Sequence, residues 1–422
     1  MRIAIIAPGS RGDVQPYIAL GKGLNAAGHN VRLLTHQNFE HFIKSHELEY
    51  WPFRGNVQEV AESQEMRELL EKGNYLNIAA FQAKAAKRAA VEWAEDGIAA
   101  CDGMDLIIAG IGGLYIGISL AEKLKIPLLQ AHFIPFTPTK EFLGALFPRT
   151  TFNLKSVNYL SHHITRQIMW QGFRVADNVA RQDVLGLDPA PFWGPYRSGV
   201  VDRMPLLYGF SPSVIPQPTD WGDEIKITGY WFLDTDEEWK PSSDLINFLD
   251  SGAKPVYIGF GSMSNRNPEE TGKLVIDAIR MSEQRAILLS GWSGLQVNNL
   301  PDSVLVVDSI PHSWLFPRVA AVVHHGGAGT TAAGLRAGIP SVVIPFFGDQ
   351  PFWGARVAEL GVGPNPIPRK KLTPERLSQA IQEAVMNDEM CQRASNLGEK
   401  IRSEDGVASA VEIIPQVYRT LK

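Results

Sequence analysis

Apolar residues fall along this chain in short unbroken runs, bounded by glycine, proline or polar clusters and alternating with longer stretches of helical spacing. Arg2–Ala7, Asn30–Thr35, Leu48–Phe53, Asp105–Ala109 and Pro127–Phe133 read as buried strands of a first half. Pro255–Phe260, Ala286–Ser290, Val304–Val307, Val319–Val323 and Ser341–Phe346 read as strands of a second. Helical spacing lies between them, over Tyr17–Ala27, most of Val57–Ala100, Leu114–Leu124, Pro268–Ser282 and Thr330–Ala337. Strand, Gly turn, helix, strand is a βαβ unit, and its repetition predicts an α/β chain with parallel sheets. The tail, Pro374–Lys422, reads as three helical segments broken near Asn387 and Gly406. Ile134–Tyr196 is apolar and aromatic without a clean period. It reads as a helical subdomain or as the wall of an apolar pocket, and an amphipathic, membrane-seeking surface is a third reading, with basic side chains at Lys155, Arg166 and Arg174.

Between the halves, Ser211–Trp221 carries three prolines and Trp231–Pro241 is acidic, which places the linker there. Asp234-Thr235-Asp236 matches a DxD metal motif in letters, but in this acidic stretch it reads as solvated charge, so no metal is expected. The length of 422 residues suits two or three domains. A net charge of −5 argues against a nucleic-acid binder held by phosphate contacts. Two cysteines, Cys101 and Cys391, lie far apart, which excludes a zinc ribbon or disulfide scaffold and suits a reducing cytoplasm. No apolar run reaches the roughly 18 residues of a membrane span, and the apolar start after Met1 is too short for a signal segment.

The densest chemistry lies in Val322–Gln350. His325, Gly327, Gly329, Thr330 and Thr331 stand between a strand and a helix. A helix start there aims free N–H groups and the positive dipole end at the turn, a ready site for an anion. The hydroxyls add donors, His325 adds another and a charge when protonated, and no P-loop lysine is present. Asp349 and Gln350 follow the next strand, where α/β sheets bind ligands, and a carboxylate beside an amide suits sugar hydroxyls. Near the start, Gly9-Ser10-Arg11-Gly12-Asp13-Val14-Gln15-Pro16 forms a second Gly-rich loop. It lacks GxGxxG, which disfavours a nicotinamide-dependent dehydrogenase.

Both stretches resemble those of GT-B nucleotide-sugar-dependent glycosyltransferases, in wording nearest to the sterol 3-beta-glucosyltransferases and the glycopeptide-antibiotic glycosyltransferases. That resemblance implies two Rossmann-like, doubly wound parallel-sheet domains facing a cleft. On this reading residues 1–218 bind the acceptor, residues 219–405 bind the nucleotide sugar, and the helix 406–422 returns to the first domain. It implies that Asp13 is the general base, although an Asp there also suits the N-cap of a following helix. It puts Gly261 and Ser262 near the diphosphate, Trp292, Ile310 and His312 near base and ribose, and His325, Gly327, Gly329 and Thr330 on the phosphates. Asp349 and Gln350 would read the sugar, while Ser10, His132, Phe136 and Trp170 are acceptor-side candidates. His132, at a strand end level with Asp13, is compatible with a structural role as well.

Two positions depart from the plant form of the signature: Ser309 stands where a Trp stacks on uracil, and Ala333 where a Glu holds the ribose. The implied activity is inverting transfer of a hexose, glucose by resemblance, from a UDP-sugar to a lipophilic alcohol. The co-substrate is the nucleotide sugar, with no metal and no further cofactor. A nucleotide-sugar epimerase on the same fold, or a catalytically silent UDP-sugar-binding partner protein, are the alternatives. The expected location is cytoplasmic, with peripheral contact to a membrane surface as an extension; the oligomeric state is not readable.

Overall fold

The computed structural model describes residues 1–54, 75–147, 154–196, 200–234, 239–260, 268–289 and 300–421, with side chains 75–83, 200, 268 and 269 left undescribed. Two all-parallel sheets organise it. The first holds β1 (Arg2–Ile6), β2 (Asn30–Thr35), β3 (Glu49–Pro52), β4 (Leu106–Ala109), β5 (Leu128–His132), β6 (Leu206–Tyr208) and β7 (Ile225–Ile227), in the order β3-β2-β1-β4-β5-β6-β7. The second holds β8 (Val256–Gly259), β9 (Ala286–Leu289), β10 (Val304–Val307), β11 (Ala321–His324) and β12 (Ser341–Val343), in the order β10-β9-β8-β11-β12. Helices bury both faces, so the central strands read as continuous apolar runs: β1, β4, β8 and β11 are buried almost throughout. In each sheet the strand order reverses between the first strand and its later neighbour, β1 beside β4 and β8 beside β11. Ligands of open α/β sheets bind in the crevice at such a reversal, beyond the carboxyl ends of the strands.

Several regions differ from the sequence expectation, among them β6 and β7, three residues each toward one edge of the first sheet, which are not among the strands read from the sequence. The first helix runs Arg11–Ala26, six residues earlier than its apolar spacing suggests. Its N-terminus is satisfied by Ser10 and Asp13, and Pro16 lies within the first two turns. The stretch after β5 contains one long helix, Lys155–Val179, where no period was legible. Its buried face carries Asn158, Ser161, His162, Thr165, Arg166 and Asp177, so the polar and apolar sides are inverted relative to an ordinary amphipathic helix.

The proline-rich stretch Ser211–Trp221 is packed against both halves. Phe210, Val214, Ile215 and Trp221 share one core with Leu335, Trp353, Val357 and Leu397 of the second half. Arg356 donates to the Val214 carbonyl at 2.6 Å. β7, after residue 218, belongs to the first sheet, so the chain crosses between sheets after it. Asp234 is exposed and pairs with Arg336 at 3.5 Å; the other two residues of the DxD letters lie outside the described residues.

The last helix, Gly406–Leu421, returns to the first half: Ala410 and Ile414 are fully buried in the core of Val14, Ile18 and Leu24, and Gly23 faces Val407. Its entry needs a glycine. A Cβ on Gly406 would lie 2.4 Å from the Gly229 carbonyl carbon and 2.5 Å from the Tyr230 oxygen, both backbone. Gly406→Ala is therefore expected to destabilise the protein by about 1–3 kcal/mol, the range for overpacking. Urea denaturation checks this, with an unchanged midpoint as the contrary result.

Candidate active site

Asp13 sits at the third position of the first helix, just past the carboxyl end of β1. Its Oδ2 accepts the Ser10 backbone N–H and the Ser10 hydroxyl, each at 2.8 Å. Ser10, not Asp13, is the N-cap, and the two share the helix start. Gly9 makes this approach possible: its φ is +145°, and a Cβ there would stand 2.5 Å from Oδ2. Asp13 keeps an open edge, yet protein crowds it at the floor of a gap. That desolvation raises its pKa above the usual carboxylate value, against the two Ser10 hydrogen bonds that lower it. A carboxylate with raised basicity, open on one side, is suited to take a proton.

Across the gap stands the second half. Asp349 caps the helix Gln350–Glu359, and its Oδ2 accepts the Trp353 indole N–H at 2.9 Å. Burial pushes its pKa up to about 6, and the charge of Asp13 adds to the rise. The two carboxyls therefore sense each other, which brings the carboxyl ends of the two sheets to one site. Gln350 is buried and its Oε1 accepts the N–H groups of Phe346 and Phe347, fixing the loop that carries Asp349. Phe347 is left 65% exposed beside it, an apolar side chain at the site that sequence reasoning missed. Its signal was Pro345: the strand, read from the sequence on to Phe346, ends at Val343.

The turn after β11 has the expected strand, Gly turn and helix start. The helix starts at Ala328, with Gly327 as N-cap and Thr331 Oγ1 bonding back to the Gly327 carbonyl at 2.9 Å. Thr330 lies partly open on the same first turn, and a Cβ on Gly329 would meet open space. Gly326 has φ +91° against Val343 and the Gln350 carbonyl, while a Cβ on Gly327 would stand 2.5 Å from His325 Nε2. The His325 ring thus lies over the helix start. Its Nδ1 is buried without a partner among the described residues. Burial lowers its pKa to about 4, so near neutral pH the His325 ring is uncharged.

His312 stacks on Phe316 at 4.4 Å and contacts the Tyr257 hydroxyl at 3.3 Å through Nε2. Burial lowers its pKa to about 4, with Arg11 of the first half and His325 adding to the shift. Arg11 also lies over the Phe42 ring at 4.8 Å. Ile310 is packed in the core with Tyr257 and Leu315. Gly261, Ser262 and Trp292 lie outside the described residues.

The acceptor-side candidates divide. Ser10 is exposed and bonded to Asp13. His132 is 1% exposed at the end of β5, with Nδ1 2.9 Å from its neighbour's carbonyl and Nε2 buried without a partner among the described residues. Burial lowers its pKa to about 3. Phe136 packs beside it, with Arg166 donating to its carbonyl at 3.1 Å. Trp170 is 1% exposed and donates to the Phe192 carbonyl at 2.9 Å, inside the helical layer. These three lie in packed surroundings, and Ser10 alone among the four is open beside Asp13.

Five histidines, His132, His162 and His324 buried and His312 and His325 half-buried, have pKa values that desolvation lowers in the fold. Each unfolds to a form that binds a proton more readily, so stability is full above about pH 6.5 and is lost as pH falls toward about 4. Asp13, Asp177 and Asp349, with raised values, act oppositely but are fewer. The melting temperature is expected to fall between pH 7 and 5; a rise over that window contradicts the burial of these rings.

Among the described residues no cluster of three metal-ligating side chains occurs, and no helix is long and apolar enough to cross a membrane. Residues 3–143 match the glycosyltransferase family 28 N-terminal domain, and residues 274–417 match the erythromycin biosynthesis protein CIII-like C-terminal domain. A sterol 3-beta-glucosyltransferase of Arabidopsis thaliana is 37% identical over 424 residues, covering 98% of this chain and 67% of its own. A sterol 3-beta-glucosyltransferase of Neosartorya fischeri is 38% identical over 443 residues, covering 100% of this chain and 30% of its own. The chain thus spans about two thirds of the plant relatives' length and under a third of the fungal relative's. Solved structures share the architecture at low identity. The glycosyltransferase SnogD from Streptomyces nogalater superposes with a TM-score of 0.67 at 18% identity, over 99% of both chains. The spinosyn forosaminyltransferase SpnP does so with a TM-score of 0.70 at 13% identity, over 99% of both. With two parallel-sheet domains, both family matches and the plant relative in agreement, the chain belongs to the GT-B glycosyltransferase family that includes the sterol 3-beta-glucosyltransferases.

Proposed function

We propose that this protein is an inverting glucosyltransferase that moves glucose from UDP-glucose to the hydroxyl of a sterol-like, lipophilic alcohol. The observation that carries the reading is that Asp13 of the first half lies close enough to Asp349 of the second to add to its raised pKa, while Gly326, ahead of the Gly327-capped helix, packs against the Gln350 carbonyl. In this reading the nucleotide sugar lies on the second half, with its diphosphate at the N–H groups of Ala328 to Thr330 and its hexose beside Asp349 and Gln350. The acceptor hydroxyl approaches from the Asp13 side. Asp13 takes the hydroxyl proton while the oxygen bonds to the anomeric carbon. The bond from that carbon to the diphosphate breaks on the opposite face, and UDP leaves with the electron pair. One displacement turns an α-linked donor into a β-glycoside. The growing charge on the leaving group meets the helix start, Thr330 and the His325 N–H; fixed donors of this kind commonly supply the largest catalytic effect.

The names of the plant and fungal relatives support glucose and a sterol. Two structural neighbours, SsfS6 and VinC, were solved with thymidine diphosphate, so the nucleotide is tested directly rather than assumed. Radiolabelled UDP-glucose and dTDP-glucose are offered with a panel of sterols and other lipophilic alcohols, with and without EDTA. The expected result is β-glucoside formation from UDP-glucose, undiminished by EDTA. Release of free sugar or epimerised donor with no glycoside, or UDP binding with no turnover across the panel, overturns the reading.

A further inference from the structure

The helix Lys155–Val179 is inside out, and its outer face is large. Nine of the twelve exposed large apolar side chains among the described residues belong to it, to Leu154 ahead of it, or to the Phe192-Trp193 tip beside it. Val157, Leu160, Ile164, Ile168 and Val175 recur at helical spacing, so they form one stripe along about 27 Å at 1.5 Å per residue. Exposure is substantial: 58% for Leu160, 55% for Ile168, 53% for Phe192 and 51% for Trp193. The tip is held deliberately. The Phe192 carbonyl accepts from Gln167, Trp170 and Gln171 at 3.1, 2.9 and 2.7 Å, and Arg174 lies over the Phe192 ring at 5.3 Å.

Charge says what covers this face. The helix's one acidic residue, Asp177, is buried, whereas Lys155 and His163 are exposed and Arg174 is half-buried at the edge. In a chain of net charge −5, the outward side of this helix thus carries no carboxylate, although Asp183, Asp188 and Asp202 are exposed on the neighbouring segments and Asp202 pairs with the buried Arg166. Two copies pressed together by this face would bring Lys155 and Arg174 against their like. An interface of acyl chains beneath anionic headgroups suits both the stripe and its rim, and aromatic tips favour that depth. The inner side of the same helix leads toward the site: His162 touches Phe142, and Phe142 touches Phe352 in the helix that Asp349 begins.

We propose that the outer face of Lys155–Val179, with Phe192 and Trp193, docks on a lipid bilayer carrying anionic headgroups and holds the cleft against it. This rests on the proposed lipophilic acceptor, since an alcohol of that class resides in the bilayer and would enter the cleft without crossing water.

The test is co-sedimentation with vesicles of phosphatidylcholine, alone and with phosphatidylserine, for the wild type and for Leu160→Glu/Ile164→Glu/Ile168→Glu. Single Ile164→Glu and Ile168→Glu changes stand in should the triple variant fold poorly by circular dichroism, and Met386→Glu, at an exposed apolar site elsewhere, is the control. The wild type and control are expected to bind the anionic vesicles, and the triple variant to partition at least about tenfold less, each single variant moving the same way. No binding by the wild type, equal binding by the face variants, or a wild-type dimer by light scattering that the face variants convert to monomer overturns the proposal. UDP binding and glucosyl transfer to a detergent-dispersed alcohol are read on the same samples. Transfer without vesicle binding defeats the docking face alone, and vesicle binding without transfer defeats the glucosyltransferase reading alone.

Discussion

Asp13→Asn is expected to lower kcat by about 10²–10⁴-fold, the usual contribution of a positioned general base, with UDP affinity unchanged. The substitution keeps the shape and one oxygen for the Ser10 N–H and hydroxyl, so the helix start persists. What it removes is a carboxylate whose basicity is raised by burial and which is still open to a substrate. A purely structural Asp13 would give the opposite pattern, a lower melting temperature with kcat nearly intact. The pH profile separates the roles further. In the wild type, activity is expected to fall as pH drops through the raised Asp13 value, because the protonated carboxyl cannot accept the proton. That acid limb disappears from the residual activity of the Asn variant.

The second large effect is expected at His325. His325→Ala removes a neutral N–H donor over the start of the helix Ala328–Ala337 and is expected to cost about 10²–10³-fold in kcat, the scale of losing one donor to developing negative charge. The charge on the diphosphate grows only as the bond to the sugar breaks, so UDP affinity is expected to fall less than kcat does. Because His325 is uncharged until about pH 4, its contribution does not titrate near neutrality. An activity step near pH 6.5 that vanishes in His325→Ala would show a cation there instead. Steady-state kinetics with calorimetric UDP titration separate these outcomes.

The central strands were legible because both faces of each sheet are covered, which makes them unbroken apolar runs, whereas β6 and β7, three residues each, were too short to read. The cradle at His325–Thr331 was legible because a strand, a Gly turn and a helix start leave little choice of geometry. Other features were not. The first helix begins at Arg11 because Ser10 and Asp13 close its end through side-chain bonds that apolar spacing does not register. The helix Lys155–Val179 was hidden because its polar residues point in and its apolar ones out, so hydrophobic period and burial disagree. The prolines of Ser211–Trp221 marked a linker, but that Trp221 and Ile215 are buried between the halves could not be read from them. The burial of His132, Phe136 and Trp170 was likewise beyond the sequence, since aromatic residues serve a core and a pocket wall equally well.

The most direct measurement is a crystal structure with UDP and an unreactive glucose analogue bound. The account predicts the diphosphate at the N–H groups of Ala328–Thr330 beneath His325, the hexose against Asp349, and Asp13 facing the anomeric carbon from the side opposite the phosphate. A nucleotide bound elsewhere, or Asp13 on the same side as the leaving diphosphate, contradicts it.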